Sequence, residues 1–203
     1  MILHGYWRSS ATYRVRIALA LKGLGYDQVG HDLRTGEQRS PAYLAKNPQG
    51  FVPALEIDGE VFGQSGAIIE LLDELYPQPP LLPATPQDRA KARAMAAVIA
   101  CDIHPLNNLR VLKALRAIDA DDKAWIARWV SEGFAALEPQ IVGPFAFGDA
   151  PGLVDCFLVP QVYNAERFGV DLSAFPRLMA AVEHARAHPA FQAAHPDRQP
   201  DAE

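Results

Sequence analysis

The sequence predicts an α/β domain of order βαβαββα followed by an all-α domain, from three observations. Strand-like and helical stretches alternate over the first 76 residues, and five prolines crowd residues 77–86. From residue 87 onward the strand alternation gives way to Ala-rich helical periodicity. The domain reading is therefore 1–76, a proline-rich linker at 77–86, and 87–203. At 203 residues with 49% hydrophobic and 21% charged side chains, the chain has ample material for a buried core.

Each element has a local cause. Met1-Ile2-Leu3 opens as an apolar strand. Residues 8–16 follow, placing Ser9 and Ser10 between arginines where a helix begins, and Val15, Ile17, Ala18, Leu19 and Leu21 give that helix its apolar face. A serine at this point caps the exposed backbone N–H groups, and the same corner attracts an anion. Gly23 and Gly25 suit a helix end, and Val29, His31 and Leu33 alternate as in a half-buried strand. Ser40-Pro41 starts a short helix that Asn47-Pro48-Gln49-Gly50 stops. Residues 52–57 and 60–62 flank Asp58-Gly59, a pair suited to a two-residue hairpin. Ser65 then precedes a helical run over 67–76 as its expected cap.

In the second half, residues 88–117 read as one long helix or two collinear ones, roughly 45 Å end to end, kinked at His104-Pro105. Helices are expected over 122–138, 153–167 and 176–187, with a polar tail after Pro189. The formal charge of −5 argues against a nucleic-acid partner. Cys101 and Cys156 lie in no metal-ligand spacing and read as small buried helix residues, so neither a metal nor a disulfide framework is expected. No stretch of about 18 apolar residues occurs, and the expectation is a cytoplasmic protein without a membrane partner.

The ordered set Arg8-Ser9-Ser10 with Arg14-Val15-Arg16, residues 47–55 (NPQGFVPAL), Gln64-Ser65, residues 99–110 (IACDIHPLNNLR) and residues 159–168 (VPQVYNAERF) resembles the zeta class of the glutathione transferases. The resemblance spans the chain and implies a thioredoxin-like first domain and a helical second domain. It also implies a homodimer in aromatic amino acid catabolism, with glutathione as cofactor. The implied activity is cis–trans isomerisation of a maleyl keto acid, by thiolate addition to the activated double bond, rotation and elimination. A conjugating or dehalogenating transferase is the alternative enzyme, and a non-catalytic glutathione-binding protein the alternative class.

By resemblance, Val52 and a cis Pro53 anchor the cysteinyl part of glutathione, Gln64 and Ser65 meet its γ-glutamyl carboxylate, and Gln49 is a further contact. Ser9 is the first candidate and Ser10 the second for the hydroxyl beside the thiol. A thiol of pKa ~8.5 is about 3% thiolate at neutral pH, and lowering it two units requires roughly 2.7 kcal/mol. Guanidinium forks suit a dicarboxylate substrate; the resemblance assigns its carboxylates to Arg8 and Arg167, Arg110 is a third candidate, and Arg14 and Arg16 receive no assignment. His104 and Asn108, four apart, are read as sharing a helix face that lines the cleft, from which Arg110 would be rotated by about 240°. The other histidines are assigned to surface or packing. Two departures from the family pattern stand out. Ala11 occupies a position that is often cysteine, and Gly152 lacks the hydroxyl of a capping box with Asp155.

Overall fold

The computed structural model describes residues 1–203. The chain divides into two compact units, Met1–Pro80 with His188–Glu203, and Leu81–Ala187. The division falls between residues 80 and 81, inside the proline-rich stretch 77–86. Residues 188–203, however, belong to the first unit and not to the helical one. Their polar composition hides the anchors that return them: Asp201 bonds the backbone of Trp7, and the carbonyl of Ala194 accepts from buried Arg16.

The first unit carries β1 (Ile2–Gly5), α1 (Ser10–Leu21), β2 (Asp27–Gly30), α2 (Pro41–Lys46), β3 (Ala54–Ile57), β4 (Glu60–Gly63) and α3 (Ser65–Leu75) in the expected order. The sheet order is β2-β1-β3-β4, with β1 and β2 parallel and the other pairs antiparallel. Asp58 (φ 51°) and Gly59 (φ 87°) both take the left-handed conformation that a type I′ hairpin needs. Alternation along the strands sorts the faces. Leu3 and Leu55 are paired and fully buried, as are Val15, Ile17 and Leu19 of α1 and Ile68, Ile69 and Leu72 of α3. His4 points the other way, against the ring of Tyr43 in α2. Gly5 is required by proximity, since a Cβ there would lie 2.4 Å from Thr12 Cγ2. α9 (Pro189–Ala194), not expected from the polar tail, packs against α1.

The second unit holds α4 (Pro86–Ala97), α5 (Leu109–Arg116), α6 (Asp122–Leu137), α7 (Leu153–Arg167) and α8 (Pro176–Ala187). Eleven of the fifteen residues of α7 are buried, which makes it the central helix of this unit. Of the two readings of residues 88–117, one long helix or two collinear ones, the single helix is excluded, because two helices, α4 and α5, are separated by irregular backbone. After α4 the backbone widens into a π-helical turn, Val98–Ile103, closed by the His104 N–H on the Ile99 carbonyl at 2.9 Å. Turns over 104–107 follow, and Asn108 restarts the chain as the N-cap of α5. Pro105, lacking an N–H, fits a break here better than the kink that was expected. α6 packs on the wide turn at Gly133, where a Cβ would meet Ile103 Cδ1 at 2.3 Å.

Candidate functional site

In the first unit, the register alone gathers most of the candidate residues. β1 ends where β3 begins, because His4 pairs with Ala54, and β4 ends there too, because Ala54 pairs with Gly63. The segments after β1, before β3 and after β4 therefore emerge at one end of the sheet. They carry Arg8, Ser9 and Ser10; Val52 and Pro53; and Gln64 and Ser65. Two strand spacings separate β1 from β4, about 10 Å, which is also the reach of an extended tripeptide.

Ser9 is the N-cap of α1, with Oγ accepting from the Thr12 N–H at 3.3 Å. The cap uses a lone pair of the oxygen and leaves the hydroxyl proton available for donation, so a capping serine can still act as a donor. Ser10 is the first helical residue and is buried. Its neighbour Arg8 is half-buried, with Cζ 5.0 Å from the centroid of the Trp7 ring.

The Val52-Pro53 peptide is cis and leads directly into β3. Across the sheet, Gln64 takes φ 65° as the residue before α3. Its Nε2 donates to Gln49 Oε1 at 2.7 Å, and both side chains are exposed. Ser65 is not the cap that was expected. It is the first residue of α3, and Gln64 holds the cap position without a side-chain bond to the helix. The positive φ of Gln64 turns the chain so abruptly that the serine falls inside the first turn. Behind Ser65 lies a residue that sequence reasoning left without a role: buried Arg14 donates from Nη1 to Ser65 Oγ at 3.4 Å. A guanidinium held under a helix start adds a full charge to the partial one of the backbone. The signal available in the sequence was two arginines inside the otherwise apolar run 13–21.

The candidates of the second unit are placed differently from their prediction. His104 ends the π-helical turn, whereas Asn108 is the extended N-cap of α5, its Oδ1 accepting from the Arg110 N–H at 3.0 Å. His104 and Asn108 therefore do not share a face of one helix, because no continuous helix joins them. The 240° rotation that set Arg110 apart lapses for the same reason. Arg110 is exposed in the first turn of α5. Arg167 is exposed at the last residue of α7, with Cζ 4.8 Å from the Phe168 ring centroid.

Neighbouring features complete the electrostatics. His4 Nδ1 and His31 Nε2 are 3.1 Å apart, and burial holds both imidazoles below their ordinary pKa, so they serve packing as neutral rings. Cys156 is buried as expected, but Cys101 is exposed on the wide turn. No group of three or more His, Cys, Asp or Glu side chains is arranged to hold a metal.

The donor set at the sheet end suits a peptidic anion with a thiol: two helix starts, a serine hydroxyl at each, two glutamine amides and a buried guanidinium. Comparison with known proteins agrees. The family model described as glutathione S-transferase, N-terminal domain, matches residues 3–80. A maleylacetoacetate isomerase of Pseudomonas aeruginosa is 54% identical over 99% of this chain and 98% of its own. The holo structure of a maleylpyruvate isomerase, described as a bacterial glutathione S-transferase of the zeta class, superposes with a TM-score of 0.98. It is 45% identical, covering all of both chains. A maleylacetoacetate isomerase of Anaeromyxobacter dehalogenans, with dicarboxyethyl glutathione and citrate bound, gives a TM-score of 0.91. It is 45% identical over 100% of this chain and 93% of that one. The chain belongs to the glutathione S-transferase family, in its zeta class.

Proposed function

We propose that this protein is a glutathione-dependent cis–trans isomerase of maleyl keto acids, acting on maleylacetoacetate or maleylpyruvate. The observation that carries the reading is the gathering of the α1 start, the cis-proline strand entry and the α3 start at one end of a four-stranded sheet. Relatives that share this frame along their whole length bear the isomerase names, and one holds a glutathione bearing a dicarboxyethyl group.

In this reading Val52 and Pro53 anchor the cysteinyl backbone, Gln64 and Ser65 receive the γ-glutamyl carboxylate with Arg14 behind them, and Gln49 steadies Gln64. When bound, glutathione supplies the thiolate that adds reversibly to the substrate's double bond. Ser9 donates its hydroxyl proton toward the sulfur, and the start of α1 lends its partial positive charge. Ser10 is the second hydroxyl at that corner. Arg8, Arg167 and Arg110 hold carboxylates, and His104 and Asn108 offer polar contacts to the keto acid, the latter with the amide group its capping role leaves over. Ala11 contributes no hydrogen bond, so the helix start and Ser9 suffice. The protein works as a homodimer in the cytoplasm, in aromatic amino acid catabolism; no helix is long and apolar enough to cross a membrane.

Isomerisation of maleylacetoacetate and of maleylpyruvate, followed spectrophotometrically with and without glutathione, tests this. Turnover that needs glutathione but leaves the thiol concentration unchanged is expected. Consumption of thiol with an electrophile, or halide release from an α-halo acid, without isomerisation, would identify a conjugating or dehalogenating transferase. Tight glutathione binding with neither turnover would sink both enzyme readings.

A further inference from the structure

The corner that carries Arg8 and Ser9 is a turn closed by the Ser9 N–H on the Tyr6 carbonyl at 2.9 Å. Inside that turn, both backbone polar groups of Trp7 are held. Its N–H donates to Asp201 Oδ2 at 2.9 Å, and its carbonyl accepts from Arg16 Nη2 at 2.8 Å. Each holder is itself fixed. Asp201 Oδ1 accepts from Gln28 Nε2 at 2.6 Å. Arg16 is fully buried, donates from Nε to the Ala194 carbonyl at 3.0 Å, and lies 5.4 Å from the Tyr13 ring centroid. Asp201 also lies close over Gly30, where a Cβ would stand 3.3 Å from Oδ2 and 3.4 Å from the Asp201 Cβ. Next along the chain, Ala202 packs against the cluster of Tyr6, Trp7, Tyr43, Val52 and Ala54, which includes the Val52 of the strand entry.

We propose that Asp201 and Arg16 are positioning residues: they clamp the two sides of the Trp7 backbone, so that segment His188–Glu203 sets the aim of the Ser9 hydroxyl and the Arg8 guanidinium. The inference rests on the glutathione reading of the corner. Both act through the Trp7 backbone. The clamp works because a turn has few bonds of its own, and a hydrogen bond on each side of one residue leaves it little freedom.

The test compares wild type, Asp201→Ala and Asp201→Asn in the full chain. The readouts are ultraviolet titration of the bound glutathione thiolate, kcat and KM for isomerisation, and the melting temperature. Asp201→Ala is expected to raise the bound thiol's pKa and lower kcat about tenfold, with KM for glutathione within about twofold of wild type. Asparagine keeps an oxygen for the Trp7 N–H, and the Gln28 amide can rotate to meet it, so Asp201→Asn should recover most of both. A melting-temperature loss in Asp201→Ala with wild-type thiol pKa and kcat overturns the proposal. Equal impairment by both substitutions does so as well, because the carboxylate's charge would then be what matters. Should Asp201→Ala be too unstable to assay, Gln28→Ala loosens the same carboxylate from its far side. A twofold to threefold loss of kcat with the same direction of thiol shift is expected there, and wild-type values overturn the proposal. A wild-type protein that leaves the thiol at its solution pKa removes the glutathione reading and this inference together, whereas a normal wild type with unaffected variants removes only the clamp.

Discussion

Arg14 and Ser65 meet inside the first unit, the guanidinium Nη1 3.4 Å from the serine Oγ, although 51 positions separate them in the chain. A buried guanidinium under a helix start raises the affinity of that start for an anion, since charge-assisted bonds contribute about 1.5–3 kcal/mol. Arg14→Met should therefore raise the Kd for glutathione by about tenfold or more. Calorimetric titration with glutathione checks this, and Arg14→Lys should recover part of the loss. If Arg14→Met folds and binds glutathione as wild type does, the arginine serves only packing.

Ser9 caps α1 and is proposed to donate to the thiolate, and a pair of substitutions separates the observed role from the proposed one. Ser9→Ala removes both the cap and the hydroxyl donor, so the protein should lose about 1 kcal/mol of stability while the bound thiol's pKa rises by about one unit. Ser9→Asn restores a cap but no hydroxyl, so stability should return while the thiol pKa stays raised. Denaturant melts and ultraviolet thiolate titration give the two numbers. An unaltered titration in Ser9→Ala would take Ser9 out of the mechanism.

Periodicity, turn residues and prolines made the element order legible, down to the Asp58-Gly59 hairpin, because each of those signals acts within a few residues. The corner at Ser9 was legible for the same reason. What escaped were relationships formed across the fold. Arg14 and Arg16 break the apolar face of α1, and only tertiary packing shows that their partners are a helix start and the backbone of Trp7. Segment His188–Glu203 reads as a polar tail until Asp201 is seen against Gln28 and Trp7. The shared face of His104 and Asn108 failed because four-residue spacing presumes an unbroken helix, and the backbone between them is a turn.

In the proposed mechanism Arg8 and Arg167 hold substrate carboxylates, and on that proposal they should matter for the substrate's charge and not for glutathione. Substituting either by Met should raise KM for the maleyl keto acid by about tenfold or more, consistent with the loss of a fork-shaped ionic contact. A neutral electrophile conjugated by the same enzyme should show little change. Steady-state kinetics on both acceptors decides the matter, and equal losses would mark the arginines as structural.

Gly152 looks from its sequence context like a missing cap hydroxyl, so serine there should stabilise the protein by a few tenths of a kcal/mol. The structure reverses the sign. Asp155 Oδ2 already accepts from the Gly152 N–H at 2.9 Å, and a Cβ on Gly152 would stand 2.9 Å from the carbonyl oxygen of Leu81. That carbonyl is engaged in turn by the Leu153 N–H at 2.7 Å. Gly152→Ser should thus destabilise by about 1–3 kcal/mol, the usual range for overpacking. A rise in melting temperature would mean that Leu81 yields without cost.

Asp155 also gives the fold a pH dependence opposite to that of an ordinary paired carboxylate. It is 2% exposed, and burial pushes its pKa up to about 6, although the N–H groups of Ala146 and Gly152 both donate to it, at 2.8 and 2.9 Å. Because the folded pKa lies above the unfolded one, the native state binds more protons between roughly pH 4 and 6, and stability from this group falls as pH rises through that window. The full swing is about 3 kcal/mol. Half-buried carboxylates such as Asp32 and Glu56 are shifted the other way by Arg34 and Lys46, so the total curve mixes signs. The difference between wild type and Asp155→Asn isolates the group. Asparagine cannot ionise and turns an NH2 toward one of the two donors, so the variant is less stable by an offset that does not change with pH. Urea melts from pH 4 to 7.5 should show the wild-type advantage shrinking as pH rises toward 6 and then levelling. A constant difference would mean that the carboxyl titrates alike in the folded and unfolded chain.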